Sequence, residues 1–149
     1  MKILVLNGPN LNMLGKRDPN HYGTLTLEEI NNLLADEAKK QGVSLIFFQS
    51  NHEGVLIDTI QQYRDKIDGI LINPGALTHY GYSLRDALED AGAPVIEVHL
   101  SDITKREDFR KIDVLNGIVV ERIMGLKEKS YLVGLQKLIA HIKKLAVRS

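Results

Sequence analysis

Short apolar runs alternate along this chain with amphipathic stretches of helical length. The apolar runs predict five strands, over residues 3–6, 43–49, 69–73, 94–100 and 118–124. Strands separated in this way by helices are typical of repeated βα units, in which helices cover both faces of a parallel sheet. The pattern therefore predicts an α/β fold with a doubly wound sheet.

Helical periodicity fills the intervals between the predicted strands. The clearest helix begins at the capping box Thr26-Leu27-Glu28-Glu29, continues with apolar residues at helical spacing and ends at Gly42. The same periodicity predicts helices around 56–63, 84–91 and 132–142, with one or two helical turns over 104–110. Five strands joined by these helices favour a single flavodoxin-like domain, residues 1–149, with the strand order 2-1-3-4-5.

Composition and charge narrow the function classes. The chain has 149 residues, of which 44% are hydrophobic, and its 19 Lys and Arg balance its 19 Asp and Glu. A neutral chain with few aromatic residues lacks the basic, stacking surface that nucleic-acid binding requires. The absence of cysteine excludes disulfides, thiolate metal sites and a cysteine nucleophile. No apolar run reaches the roughly 20 residues of a membrane span, so we expect a cytoplasmic protein with neither nucleic acid nor membrane as partner.

Polar residues concentrate where the predicted strands end, which is the edge at which doubly wound sheets bind ligands. Asn, Ser and His also favour loops and helix caps for structural reasons, so one of them alone has little weight. Four strand ends share the feature, and this agreement indicates a binding site. The residues are Asn7, Asn10 and Asn12; Gln49, Ser50, Asn51, His52 and Glu53; Asn73, Thr78 and His79; and Glu97, His99 and Ser101.

Glu97 and His99 lie two positions apart in the fourth predicted strand, so their side chains point to the same face of the sheet. A carboxylate in this position orients the imidazole and raises its pKa, which suits a general acid near neutral pH. The alternative is a structural ion pair at the end of the strand. We favour catalysis because a charged pair within an apolar run is costly to bury without a function.

The segment 7–25 contains three glycines and two prolines and shows no helical or strand period. Connections of this length are often lids over a site. The segment carries Arg17 and Tyr22. A tyrosine, with a reference pKa of about 10, acts as a base only where a cation stabilises its phenolate, and an arginine is able to do so. Spacing alone also fits two ordinary surface residues.

Several other chemistries are excluded by their motifs. Gly15-Lys16 is not a P-loop, since Asn10 stands where that motif needs glycine and Arg17 where it needs serine or threonine. No G-x-G-x-x-G follows the first strand, and His52-Glu53 lacks the second histidine of a zinc-binding H-E-x-x-H. Most lysines fall on helix faces or ends, which leaves no obvious Schiff-base nucleophile. Acid–base catalysis without a cofactor remains.

The motifs together resemble those of type II 3-dehydroquinate dehydratases, in register over residues 3–110. The matching segments are Asn7-Gly8-Pro9-Asn10-Leu11-Asn12 with Leu14-Gly15 and Arg17, Gln49-Ser50-Asn51-His52-Glu53-Gly54, Asn73-Pro74-Gly75-Ala76-Leu77-Thr78-His79, Leu84-Arg85-Asp86-Ala87-Leu88, Pro94-Val95-Ile96-Glu97-Val98-His99-Leu100-Ser101 and Arg106-Glu107-Asp108-Phe109-Arg110. The resemblance implies a flavodoxin-like enzyme that needs no metal or cofactor. It implies dehydration of 3-dehydroquinate to 3-dehydroshikimate through an enolate.

The resemblance implies roles for five catalytic residues. Tyr22 would be the base that takes a proton from C2 of the substrate, and Arg17 the cation that keeps it a phenolate. His99, oriented by Glu97, would be the acid that protonates the departing C1 hydroxyl. Asn10 would hold the water that stabilises the enolate oxygen.

Substrate contacts and an assembly are implied in the same way. The side chains of Asn73, His79 and Arg110 would bind hydroxyl groups of the substrate. The backbone amides of Leu100 and Ser101 would bind its carboxylate. The expected assembly is a homo-oligomer, a trimer-based dodecamer in which Asp86 reaches the active site of a neighbouring subunit. An acid near the start of the helix predicted at 84–91 has the alternative role of capping that helix.

The resemblance weakens after Arg110. Relatives typically continue with His-Ser, a segment of small residues and a G-x-G-x-x-G-Y turn. This chain has Ile112-Asp113, Asn116-Gly117 and Glu121-Arg122 there, and of the turn only Gly125 and Tyr131 are kept. Two alternatives to the enzyme therefore stay open, a catalytically inactive member of the family and a flavodoxin-like small-molecule binding module.

Overall fold

One parallel sheet of five strands organises the chain, in the order β2-β1-β3-β4-β5, in a computed structural model that describes residues 1–149. The strands are β1 (Lys2–Asn7), β2 (Ser44–Gln49), β3 (Gly69–Asn73), β4 (Val95–His99) and β5 (Glu121–Met124). The helices are α1 (Pro19–Tyr22), α2 (Leu27–Gln41), α3 (Glu53–Tyr63), α4 (Tyr82–Asp90) and α5 (Lys129–Arg148). The fold class and the strand order that the sequence predicted are both confirmed.

The helix predicted with most detail forms as its capping residues dictate. Thr26 Oγ1 accepts a hydrogen bond from the Glu29 amide at 3.1 Å, and the Glu29 carboxylate accepts one from the Thr26 amide at 3.4 Å. At the other end Gly42 takes a left-handed conformation, with φ of 69°. These contacts satisfy groups that the first and last turns of α2 leave without helical partners.

Several predicted boundaries are wrong. β5 begins at Glu121 instead of residue 118, because Ile118 and Val119 form turns that pack on the core without being extended. Three helices begin two or three residues before their predicted starts, α3 at Glu53, α4 at Tyr82 and α5 at Lys129. The segment 104–110 forms two 3₁₀ turns, Ile103–Lys105 and Asp108–Lys111.

The core has two parts, one on each face of the sheet. Alternation along β1 sends Ile3 and Val5 towards α2 and α5, and Leu4 and Leu6 towards α3 and α4. Close approach of α5 to the sheet depends on Gly134, where a Cβ atom would lie 2.6 Å from the side chain of Val98. None of the helices combines the length and the apolar character that crossing a bilayer demands.

Candidate functional site

A cavity opens at the carboxyl ends of β1, β3 and β4. Its empty space is about 560 Å³, and it is open to solvent. Nine of the eleven residues predicted for the site line it, together with Arg106, for which the sequence analysis had assigned no role. The nine are Asn10, Arg17, Tyr22, Asn73, His79, His99, Leu100, Ser101 and Arg110.

The floor of the cavity depends on two loops that nearly touch. A Cβ atom at Gly8 would lie 2.5 Å from the carbonyl oxygen of Pro74, and one at Gly75 would lie 2.9 Å from that of Pro9. Any larger residue at either glycine would therefore push the loops apart. The contact brings the ends of β1 and β3 together and places Asn10 and Asn73 in one cavity.

Glu97 and His99 form the pair that the strand spacing predicted. Their atoms Oε2 and Nε2 are 2.5 Å apart, and Glu97 is fully buried behind the imidazole. Glu97 therefore does not line the cavity. Burial raises the pKa of Glu97, the hydrogen bond to His99 opposes that rise, and a second carboxyl, Asp113, adds to it. The bond through Nε2 leaves Nδ1 of His99 for a ligand.

Tyr22 lines the same cavity and lies between two guanidinium groups. Arg17 stacks on its ring at 3.6 Å from the centroid, and Arg106 Nη1 donates to its hydroxyl oxygen at 2.9 Å. Arg106 also donates to Ser101 Oγ at 3.3 Å. Burial lowers the pKa of Arg17, the electron-rich Tyr22 raises it, and the cations Arg106 and Arg110 lower it further. Crowded cations of this kind favour an anion between them.

Asn73 is held by a buried network from the last helix. Its Nδ2 donates to the Tyr131 hydroxyl at 2.9 Å, and that hydroxyl donates to Asn7 Oδ1 at 2.6 Å. Its own Oδ1 accepts from the Gly75 amide at 3.1 Å. Burial raises the pKa of Tyr131, so the hydroxyl remains a donor. Tyr131 thus orients Asn73 from below the cavity.

The remaining cavity residues differ in how firmly they are held. His79 Nδ1 lies 2.7 Å from the Ile112 carbonyl, and burial lowers the pKa of His79, which favours a neutral ring with Nε2 free for a ligand. Arg110 Nε donates to Glu107 at 3.2 Å. Asn10 is exposed and takes a left-handed φ of 70°. Its backbone amide donates to Asn51 Oδ1 at 3.0 Å and its carbonyl oxygen accepts from the Met13 amide, whereas its side chain has no hydrogen bond.

Asp86 does not enter the cavity of its own chain. It is exposed in the second turn of α4, and its carboxylate has no hydrogen bond or ion pair within the chain. The helix-capping interpretation of Asp86 is wrong, because Gly81 occupies the N-cap position.

Arg106 was missed because its contact with Tyr22 joins residues 84 positions apart. The sequence analysis placed it in a matching segment but assigned a role only to Arg110. Chemistry could have indicated Arg106, because a tyrosine base needs a nearby cation and Arg106 follows a strand end of the predicted site.

Comparison with known proteins agrees with this architecture. The family model for dehydroquinase class II matches residues 1–139. The 3-dehydroquinate dehydratase of Carboxydothermus hydrogenoformans is 55% identical over 97% of this chain and 94% of its own length. That of Dictyoglomus turgidum is 51% identical over 97% of this chain and 99% of its own length.

Solved structures lead to the same group. A type II dehydroquinase from Butyrivibrio crossotus superposes with a TM-score of 0.90 at 44% identity, over 93% of this chain and 97% of that one. A type II dehydroquinase from Propionibacterium acnes gives 0.89 at 39% identity, over 93% and 96%. The sequence and the fold that form the cavity at the ends of β1, β3 and β4 therefore both match the same group of proteins. The chain belongs to the dehydroquinase class II family.

Proposed function

We propose that this chain is a type II 3-dehydroquinate dehydratase that acts through an enolate, with Tyr22 as base and His99 as acid. One observation carries the mechanism: a tyrosine held between two guanidinium groups and a histidine held by a buried carboxyl line the same cavity. A base and an acid on one cavity are what loss of H from C2 and OH from C1 requires.

The base step uses the positive side of the cavity. Arg17 and Arg106 favour the phenolate of Tyr22 over the phenol, because each places a full positive charge on the ring or its oxygen. The phenolate takes the proton from C2, and the electron pair of that bond moves into the neighbouring carbonyl as an enolate. A water held by the side-chain amide of Asn10 would stabilise the enolate oxygen.

The acid step uses the Glu97–His99 pair. His99 protonates the C1 hydroxyl, which leaves as water while the enolate electrons form the C1–C2 double bond. Glu97 favours the protonated imidazole before transfer and fixes its orientation through the 2.5 Å contact. The proton that Tyr22 gained then returns through solvent to His99, so the cycle consumes no proton.

Substrate orientation follows from the rest of the lining. The backbone amides of Leu100 and Ser101 at the end of β4 would receive the carboxylate, in the field of Arg17, Arg106 and Arg110. His79 and Asn73 would bind ring hydroxyls from the β3 side, and both are pre-oriented by bonds to the fold.

The activity is tested by mixing purified chain with 3-dehydroquinate and following the ultraviolet absorbance of the conjugated product. We expect turnover by the parent and almost none by Tyr22→Phe. Activity should survive a chelator, and also borohydride with substrate present, since no lysine lines the cavity to form an imine. Binding without turnover would instead support the inactive family member.

We also propose a homo-oligomer, the trimer-based dodecamer, in which Asp86 completes a neighbouring site. Asp86 is exposed and has no hydrogen bond or ion pair within the chain. Tyr80, just before α4, and Tyr82, its first residue, are also exposed, at 59% and 65% of their surface. Light scattering should show an oligomer, and a monomer would contradict it. Mixing inactive Tyr22→Phe subunits with inactive Asp86→Ala subunits should restore some activity; no recovery after proven exchange would confine Asp86 to its own chain.

A further inference from the structure

A buried polar network runs from the catalytic imidazole to the β5 edge of the sheet, where Arg122 is the register partner of Glu97. Behind His99, Glu97 Oε2 accepts from Thr78 Oγ1 at 2.6 Å, and the same hydroxyl lies 3.0 Å from Asp113 Oδ1. Asp113 Oδ2 accepts from Arg122 Nη1 at 2.7 Å. The Asp113 side chain is 6% exposed and that of Arg122 is 26% exposed, so the chain of contacts ends at solvent.

The protons available in this hydrogen-bond network leave one carboxyl oxygen without a donor. The hydroxyl of Thr78 has one proton, yet it faces a carboxyl oxygen of Glu97 and one of Asp113. Glu97 Oε1 is fully buried and has no partner. Thr78 therefore bridges the two carboxyls, and the nearby Asp113 raises the pKa of Glu97 in addition to burial. A proton on Glu97 would lower the cost of burying this oxygen, which is greatest for an unpaired carboxylate.

Of the two carboxyls, Asp113 is the one that stays ionised. Burial alone would raise the pKa of Asp113, but its bonds to Glu97, the Leu115 amide and Arg122 together lower it. A fixed negative charge therefore stands directly behind Glu97, and it favours retention of a proton by the Glu97–His99 pair. Arg122 carries the opposite charge and weakens that effect.

We propose that Asp113 and Arg122 are positioning residues that set, with opposite signs, how tightly the Glu97–His99 pair holds the proton it delivers. The inference rests on the proposed role of His99 as acid. Both residues lie in the segment after Arg110 that departs from the family motif. His79 lies near the His99 imidazole and near Arg110 in the same cavity, and neither His79 nor Arg110 is altered in the test.

The test is a set of charge-removing variants, Asp113→Asn, Arg122→Gln and the double variant. The readouts are the alkaline limb of the kcat profile against pH and the ¹⁵N titration of the His99 imidazole, assigned by loss of its signal in His99→Ala. Both report the macroscopic loss of the last proton of the coupled group, whichever member carries it. We expect the midpoint to fall by about one unit in Asp113→Asn and to rise by about one unit in Arg122→Gln.

The midpoint of the double variant should return to within a few tenths of a pH unit of the parental value, because both charges are gone. A matched control is Glu121→Gln, which removes a charge one residue away on β5 by breaking the exposed 2.7 Å pair with Lys137, and should shift nothing. Asp113→Ser, the residue of the family motif, replaces Asp113→Asn should that variant fold poorly.

A shift of the midpoint in the same direction in both single variants, or no shift, overturns the proposal. A pair with a merely structural role would lower activity in both variants without moving their midpoints in opposite directions. The imidazole titration needs no turnover. Opposite shifts in a chain that does not dehydrate 3-dehydroquinate would refute the proposed function alone, whereas an active chain without shifts would refute this inference alone.

Discussion

The two sides of the cavity are held in different ways. His99 and Glu97 belong to a buried strand, and Glu97 has no exposed surface. Tyr22, Arg17 and Arg106 belong to a short helix and to turns, and all three remain partly exposed. Changes on the acid side should therefore act on folding and on chemistry together, while changes on the base side should act on chemistry alone.

The largest expected effect is on the base side. Tyr22→Phe keeps the ring and its contact with Arg17 but removes the proton acceptor, so kcat should fall by roughly 10²- to 10⁴-fold. The melting temperature should stay close to that of the parent, because the side chain is only partly buried. Steady-state kinetics and thermal melting check both parts. Activity within a few-fold of the parent would place the base elsewhere.

The acid side gives the next contrast. His99→Ala should lower kcat by leaving the hydroxyl without a proton donor, while Glu97→Gln should cost less, since an amide still holds the ring. Glu97→Gln should also change the pH dependence of stability. The folded chain keeps a proton on Glu97 above the ordinary pKa of 4.5, because burial raises that pKa. Unfolding releases this proton, so the stability it provides decreases as the pH rises towards the folded pKa.

Denaturant unfolding at several pH values therefore checks the acid-side comparison. Relative to the parent, Glu97→Gln should gain unfolding free energy as the pH rises above 4.5, because glutamine does not titrate. Glu121→Gln, which removes an exposed carboxylate of β5, is the control and should keep the parental pH dependence. A constant difference between Glu97→Gln and the parent would show that Glu97 is ionised in the folded chain throughout.

Arg106 tests whether the second cation matters. Arg106→Gln keeps a donor for the Tyr22 hydroxyl but removes the charge, and we expect a kcat loss smaller than that of Tyr22→Phe, with a pH optimum moved upwards. Arg17→Ala should behave in the same direction. An unchanged pH profile in both variants would mean that the cations bind substrate instead of favouring the phenolate.

The smallest expected effect on catalysis lies below the cavity. Tyr131→Phe leaves the buried amides of Asn7 and Asn73 without their shared hydroxyl, which should cost about 1–3 kcal/mol of unfolding free energy. Its catalytic effect should appear in KM more than in kcat, since Asn73 is oriented by this bond. A kcat loss as large as that of Tyr22→Phe would give Tyr131 a direct role that its burial does not suggest.

The sequence predicted most of the fold, because apolar periodicity and helix caps are local signals. The capping box at Thr26 and the glycine at position 42 act within a few residues of themselves. The start of β5 was wrong for the converse reason: Ile118 and Val119 are apolar because they pack on the core, and that packing does not require an extended backbone. Burial is set by the whole fold, while conformation is set by local geometry.

The site was predictable where its residues are neighbours and not where they are distant. Glu97 and His99 were paired by strand geometry, whereas the contact between Tyr22 and Arg106 arises only when the chain folds. The roles of Asn10, Asn73 and Arg110 came from family resemblance and stay predictions, as do the assembly and the cytoplasmic location. No local rule indicated that Asp113 would approach Glu97, because the two 3₁₀ turns after β4 separate them in the chain and Thr78, from another loop, bridges them.

The division of labour across the cavity is the central claim, and substrate deuterated at C2 tests it most directly. His99→Ala should still exchange the C2 deuterium with solvent while forming little 3-dehydroshikimate, because base and enolate remain intact. Tyr22→Phe should neither exchange nor form product. Product formation by His99→Ala at the parental rate, or exchange by Tyr22→Phe, would contradict the assignment of acid and base to opposite sides.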